Sequence, residues 1–323
     1  MKYRRRLAAA ALSLSMAFSA VYPAVPAFAA AWERNANGSY LASDGSIITG
    51  ITSRGIDVSH WKQSIDWNAV AADDVQFVML GTRYNNDVDP YFQVNATGAY
   101  NAGLRVGAYL YSYATTTEMA EAEADFVLNL IKDYPISYPV VLDVEATEMN
   151  GLTPAQLSSI INSFCKKIEN AGYYPMVYTN DYWLANKIDM TKVPYDVWVA
   201  RYNAKPSYTN AAMWQATNEG QVNGISGNVD INFAFKDLNS KLPADRWRLI
   251  NGQWYYYKNY VKQTGWINDG QSWYYMNSDG TQYKGWLLLD NEYYYLLPKT
   301  EQLQTGWIQV HDKWYYIKPG GRM

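Results

Sequence analysis

Between residues 54 and about 237, short apolar runs alternate with longer amphipathic stretches, which restricts the chain to a small set of α/β architectures. The runs lie at 55–59, 77–80, 106–113, 139–145, 175–180, 197–202, 211–215 and 229–235. Helical patterns separate the early ones: 91–102, then 117–131 with a polar face of Glu118, Glu121 and Glu123, then 154–170 with Thr153 as its N-cap. The later gaps are too short for full helices. The expected fold class is therefore α/β: an irregular β/α barrel, regular β/α in its first half and mostly strands in its second, followed by a small β-hairpin repeat solenoid.

One of these runs, Tyr138-Pro139-Val140-Val141-Leu142-Asp143-Val144-Glu145, ends in two carboxylates one residue apart. Side chains alternate along a strand, so Asp143 and Glu145 share a face, roughly 6.6 Å apart along the backbone. Such a pair suits glycoside hydrolysis, in which one carboxyl stays protonated for the leaving oxygen and a charged neighbour stabilises the positive centre. Asp57 alternates with Ile56 and Val58, and Asp230 with Val229 and Ile231, so three strands present acids to one barrel interior. Tyr111, Tyr113, Tyr178, Trp198, Tyr202 and Gln215 lie on or just after candidate strands. Their rings combine apolar area with a polar tip, which fits a carbohydrate groove.

The first residues carry Lys2, Arg4, Arg5 and Arg6, an apolar stretch at 7–18 and then Ala27-Phe28-Ala29, the pattern of a secretory signal at 1–29. No later segment is apolar enough to span a membrane. Cleavage after Ala29 removes four basic residues and moves the formal charge from −3 to −7, which argues against a nucleic-acid partner. Residues 30–53, rich in Asn, Gly, Ser and Thr, read as a leader lying loosely ahead of a domain at 54–240. The single cysteine, Cys165, falls among Ile160, Ile161, Phe164 and Ile168 at helical spacing and reads as core.

From about Pro243 the composition shifts. The tail at 246–323 holds seven of the thirteen tryptophans and none of the phenylalanines. Gly265-Trp266, Gly285-Trp286 and Gly306-Trp307 recur at intervals of 20 and 21 residues. Each is followed by an aromatic cluster, at Trp273-Tyr274-Tyr275, Tyr293-Tyr294-Tyr295 and Trp314-Tyr315-Tyr316, and Trp254-Tyr255-Tyr256 precedes them as a partial first copy. Repeats this short must stack to bury their aromatic faces. Trp254, Trp266, Trp273, Tyr275, Trp286, Tyr294, Trp307 and Trp314 are the candidate ligand residues of this tail, suited either to a quaternary ammonium or to a stacked sugar.

Other chemistries fall away by counting. With only two histidines, His60 and His311, a zinc site with several His ligands in the catalytic region is not available. No G-x-S-x-G elbow accompanies His60, which reads as a groove or turn residue, and no dinucleotide or phosphate-binding glycine pattern follows a strand. No metal or cofactor is expected.

Over residues 54–236 the chain resembles glycoside hydrolase family 25, the lysozymes that cut after N-acetylmuramic acid in peptidoglycan. The resemblance rests on Gly55-Ile56-Asp57-Val58-Ser59 with Ile65-Asp66-Trp67, on Asp89-Pro90-Tyr91-Phe92, and on the segment from Ala102-Gly103-Leu104 to Gly107-Ala108-Tyr109. Asp143-Val144-Glu145, Trp214-Gln215 and Gly227-Asn228-Val229-Asp230-Ile231-Asn232 complete it. It implies Glu145 as general acid/base, Asp143 stabilising a charged intermediate or orienting the substrate's acetamido group, and Asp57 and Asp230 completing the acidic cluster, with retention of configuration. Many members carry a glutamate-containing segment where this chain reads Leu80-Gly81-Thr82-Arg83-Tyr84. Arg83 at that groove edge either contacts a substrate carboxylate or neutralises a nearby acid. The tail resembles choline-binding wall repeats.

The expectation is a secreted muramidase, an N-acetylmuramidase acting on peptidoglycan glycan strands. Its tail would hold choline or other teichoic-acid or wall-polysaccharide groups of a Gram-positive wall. The rival readings are a non-catalytic wall-binding or adhesion protein and a glucosaminidase of the alternate linkage.

Overall fold

The computed structural model describes residues 31–323; the signal segment expected at 1–29 lies outside the described residues. All eight apolar runs become strands of one closed barrel, and they neighbour one another in chain order. They are β1 (Ser53–Val58), β2 (Phe77–Gly81), β3 (Arg105–Tyr111), β4 (Val140–Asp143), β5 (Pro175–Asn180), β6 (Asp196–Ala200), β7 (Met213–Gly220) and β8 (Val229–Ala234). Strands β1 to β7 are parallel to their sequence neighbours, whereas β8 runs antiparallel to both β7 and β1. The reason is the short link after Gly220, which permits a hairpin but not the crossover that a parallel strand needs.

Among the described residues, five α-helices pack outside: α1 (Trp67–Ala72), α2 (Phe92–Asn101), α3 (Thr117–Ile131), α4 (Pro154–Asn170) and α5 (Asp181–Asn186). Thr153 caps α4 reciprocally with Gln156, and Thr116 and Asp66 cap α3 and α1. The helix expected at 117–131 has those bounds, yet its polar face is narrower than the sequence suggests: Glu123 is only 8% exposed. Cys165 is buried in the core facing the barrel, with Ile160, Ile161, Phe164 and Ile168.

The leader is not loose. Residues Tyr40–Leu41 pair with Ile47–Ile48, and Trp32, Tyr40 and Ile48 are buried in the same core as the barrel. Trp32 meets Trp214 edge-on at 5.9 Å, and Tyr40 lies 5.2 Å from Phe233. The Tyr40 hydroxyl and Arg34 both donate to Asp74. The polar composition describes the outer face of this hairpin; its three large apolar side chains supply the inner one.

Beyond the barrel lie four antiparallel hairpins, Arg246–Ile250 with Gln253–Lys258, Gly265–Asn268 with Trp273–Met276, Gly285–Leu289 with Glu292–Leu296, and Gly306–Val310 with Lys313–Ile317. The partial first copy is thus a complete hairpin opened by Trp247. This first hairpin is fastened to the barrel. Arg248 is buried between the rings of Tyr173 at 4.3 Å and Tyr257 at 4.2 Å, and Tyr257 donates to Lys132 O at 2.7 Å. Among the described residues, no helix is long and apolar enough to cross a membrane.

Candidate functional site

The acids converge because the strands are in register. Asp57, next to last on β1, faces Asp230, second on the oppositely running β8, so both reach the same mouth of the barrel. Asp143 closes β4, with Tyr111 on β3 and Tyr178 on β5 as its register partners. Past Asp143 the chain stays extended, since Val144 N donates to Tyr178 O at 2.8 Å. Glu145 follows, half-buried, with the Asn180 amide 3.4 Å from its Oε2.

At this mouth opens a cavity of about 420 Å³, lined by Asp57, Asp143 and Asp230 together with Arg83, Tyr111, Tyr113, Tyr178, Trp198, Tyr202 and Gln215. Every substrate-groove candidate thus borders one space. Glu145 stands beside the lining rather than in it, close enough for its charge to act on Asp143, Tyr111 and Tyr178.

Several of these groups are committed to one another. Gln215 Nε2 and Asn232 Nδ2 both donate to Asp57 Oδ2, at 2.8 and 2.7 Å. Gln215 Oε1 accepts from the hydroxyls of Tyr178 at 2.8 Å and Tyr202 at 3.1 Å, while Asn232 Oδ1 accepts from Trp198 Nε1 at 2.9 Å. The aromatic floor therefore fixes two amides that aim at one carboxylate oxygen. Trp198, almost wholly buried, is part of that floor and offers no open face for stacking. Arg83, largely buried at the rim, pairs with Glu123 Oε1 at 2.9 Å and donates to Tyr111 O, its guanidinium 4.9 Å from the centre of the Tyr113 ring. Of the two roles open to it, the geometry favours neutralising a nearby acid.

Burial controls the electrostatics. It pushes Asp57 up to about 8, with the facing Asp230 raising it further and the Asn232 and Gln215 amides drawing it back. Asp230 is raised by burial and opposed by Lys62. Asp143 is driven well above the usual carboxylate range by burial, then by the charges of Glu145 and Asp57. Burial also raises Glu145, against the Asn180 amide. Asp143 Oδ1 is buried without a hydrogen-bond partner. The mouth thus retains protons where free carboxyls have lost them, which suits a group that must donate one to a leaving oxygen.

The sequence pattern of glycosyl hydrolases family 25 matches residues 56–225, more than half of the chain. The chain belongs to that family. It is an enzyme of the lysozyme, or muramidase, type. In the tail, the choline-binding repeat pattern matches 263–303 and a putative cell-wall-binding repeat matches 245–259 and 305–323, indicating association with the cell wall. The uncharacterized protein YegX of Escherichia coli O157:H7 is 33% identical over 203 residues, 60% of this chain and 73% of that one. Lysozyme M1 of Streptomyces globisporus is 31% identical over 201 residues, 55% of this chain and 66% of that one. Among solved structures, the modular autolysin LytC of Streptococcus pneumoniae superposes with a TM-score of 0.57 at 25% identity, covering 64% of this chain and 52% of that one.

The family 25 barrel also exposes groups that the strand pattern overlooks. Tyr109 lines the cavity two residues before Tyr111, and the period-two alternation of β3 could have found it. Trp61 and Tyr84 line it from loops after β1 and β2, where only their position past a strand end is a signal. In the tail, Trp254 shares a cavity with Trp247, Tyr274, Asp269 and Glu301, while Trp266, Trp273 and Tyr294 share another with Arg322. Trp247 precedes Trp254 by the seven residues that separate Trp266 from Trp273 and Trp307 from Trp314; without the preceding glycine it escapes the Gly-Trp pattern. Trp266 packs on Tyr275 at 5.1 Å and Trp286 on Tyr295 at 4.8 Å, while Trp307 and Trp314 stand largely exposed. Among the described residues, no group of three His, Cys, Asp or Glu side chains is placed to hold a metal ion.

Proposed function

We propose that this family 25 enzyme is a secreted peptidoglycan hydrolase that cleaves the β-1,4 bond between N-acetylmuramic acid and N-acetylglucosamine. The convergence of Asp57, Asp143, Glu145 and Asp230 at one aromatic-lined mouth carries this reading. Glu145, raised by burial, is the general acid that protonates the leaving oxygen and later the base that activates water. Asp143 sits deeper, and its unpartnered oxygen is suited to an acetamido N–H of the sugar, orienting that group toward the anomeric carbon. Asp57 and Asp230 face each other below the ring, and Asp57 is kept in place by the amides of Gln215 and Asn232.

The repeats keep the groove near an insoluble substrate, raising its effective concentration. The Trp247, Trp254 and Tyr274 cavity, bordered by Asp269 and Glu301 with Lys299 as an opposing cation on its lining, suits a cationic group such as choline on teichoic acid.

Muropeptide release from purified peptidoglycan, with new reducing ends identified by mass spectrometry after borohydride reduction, tests the assignment. Muramitol ends are expected from the wild type and their loss in Glu145→Gln. Reduced glucosamine ends would assign the alternate linkage, and wall binding without cleavage would indicate an adhesion protein.

A further inference from the structure

Beside the acid cluster, the loops after β1 and β2 carry an aromatic group that the proposed chemistry does not use. Trp61 is 76% exposed and Tyr84 is 40% exposed, both on the cavity lining. They are not loosely displayed. The His60 ring lies 3.9 Å from Tyr84 and 4.5 Å from Trp61, and the two outer rings stand nearly perpendicular, at 83°. His60 is itself anchored, because buried Asp89 accepts from its backbone N at 2.8 Å and pairs with Nδ1 at 3.0 Å while also accepting from Tyr91 N. Lys62 is tied on the other side to Asn228 O. A single exposed tryptophan needs no explanation, but three adjoining rings at a cavity rim, fixed from below by a buried carboxylate, do.

We propose that Trp61 and Tyr84, supported by His60, form a sugar subsite that stacks a pyranose ring of the glycan strand away from the bond being cut. The proposal rests on the glycan reading given above and extends it. In the closed strand order, β1 and β2 are separated from β4, which carries Asp143, by β3 with its Tyr111. Trp61 and Tyr84 thus border the shared cavity beyond strand ends other than the one that carries Asp143, with Tyr111 on the strand between. The perpendicular rings offer one open face and one edge, and tyrosine adds a hydroxyl for sugar oxygens. Only a substrate long enough to span the mouth gains this contact.

The test compares kcat/KM on peptide-free glycan oligomers of two and four disaccharide units for the wild type, Trp61→Ala, Trp61→Phe and Tyr84→Ala. The wild type is expected to prefer the longer oligomer. Trp61→Ala should reduce that preference about tenfold, with Trp61→Phe retaining most of it. An equal loss on both lengths, or no loss, would overturn the subsite. The same oligomers titrated into the Glu145→Gln protein by tryptophan fluorescence keep the two readings apart. If the wild type cuts no glycan, the proposed function fails. A length-dependent affinity abolished by Trp61→Ala would then still support the subsite, and equal affinities would refute it.

Discussion

Glu123 shows how one residue can read differently in sequence and in space. With Glu118 and Glu121 it marks a solvated helix face, yet its carboxylate accepts from Ser112 Oγ at 2.6 Å, Tyr113 N at 3.0 Å and Arg83 Nη2 at 2.9 Å. It thereby holds the segment that carries Tyr111 and Tyr113 into the groove. Glu123→Ala strands a buried guanidinium and two donors, so a loss of about 3–5 kcal/mol is expected in urea unfolding; a loss below about 1 kcal/mol would mean that the network is solvated. Asp143 behaves in the opposite sense. Burial raises it above its ordinary value of 3.8, so the folded chain holds this proton more tightly than the unfolded one. Its contribution to stability is full below that ordinary value and is lost as pH rises through the raised one. Asp143→Asn should therefore unfold at a higher temperature than the wild type at neutral pH, with the gap closing near pH 3.8 and activity gone throughout. Calorimetry across that range decides it; an equal gap at both ends would remove the burial argument.

Among the elements, strand positions were legible because apolar runs of this length have few alternatives, and Thr153 with Pro154 marked the start of α4. The leader was harder, since Trp32, Tyr40 and Ile48 are spaced too irregularly to show a period, and Trp32 and Tyr40 find their aromatic partners on β7 and β8. Trp32→Ala should cost about 3–5 kcal/mol of stability, measured by denaturant midpoint at constant slope. An unchanged midpoint would return this segment to the status of a loose lead-in. The direction of β8 belongs to the same scale: a short hairpin reverses it, and the reversal brings Asp230 to the mouth opposite Asp57.

For the whole molecule, the composition change near Pro243 suggests a boundary between barrel and repeats at 240–246, but the packing continues through it. Arg248 and Tyr257 close over Tyr173 and Lys132, Arg105 bonds to Tyr260, and Lys262 pairs with Asp133. A chain ending at Asp245 exposes this interface, whereas one ending at Gln263 keeps it. The shorter chain should melt several degrees lower, and the longer one should match the full chain's barrel transition while losing retention on walls. Equal melting of both truncations would place the functional boundary back at 246.

By itself the sequence determined the strand count, the acid pair, the repeat period and the family, because these depend on alternation and spacing along one segment. The partners of each group came only from the tertiary structure. Gln215 and Asn232 on Asp57, Arg83 on Glu123, Trp61 beside Tyr84, and the first repeat on the barrel each join residues far apart in the chain. Such pairings depend on closure of the barrel and on the register between its strands, and no local pattern encodes which distant side chain will arrive.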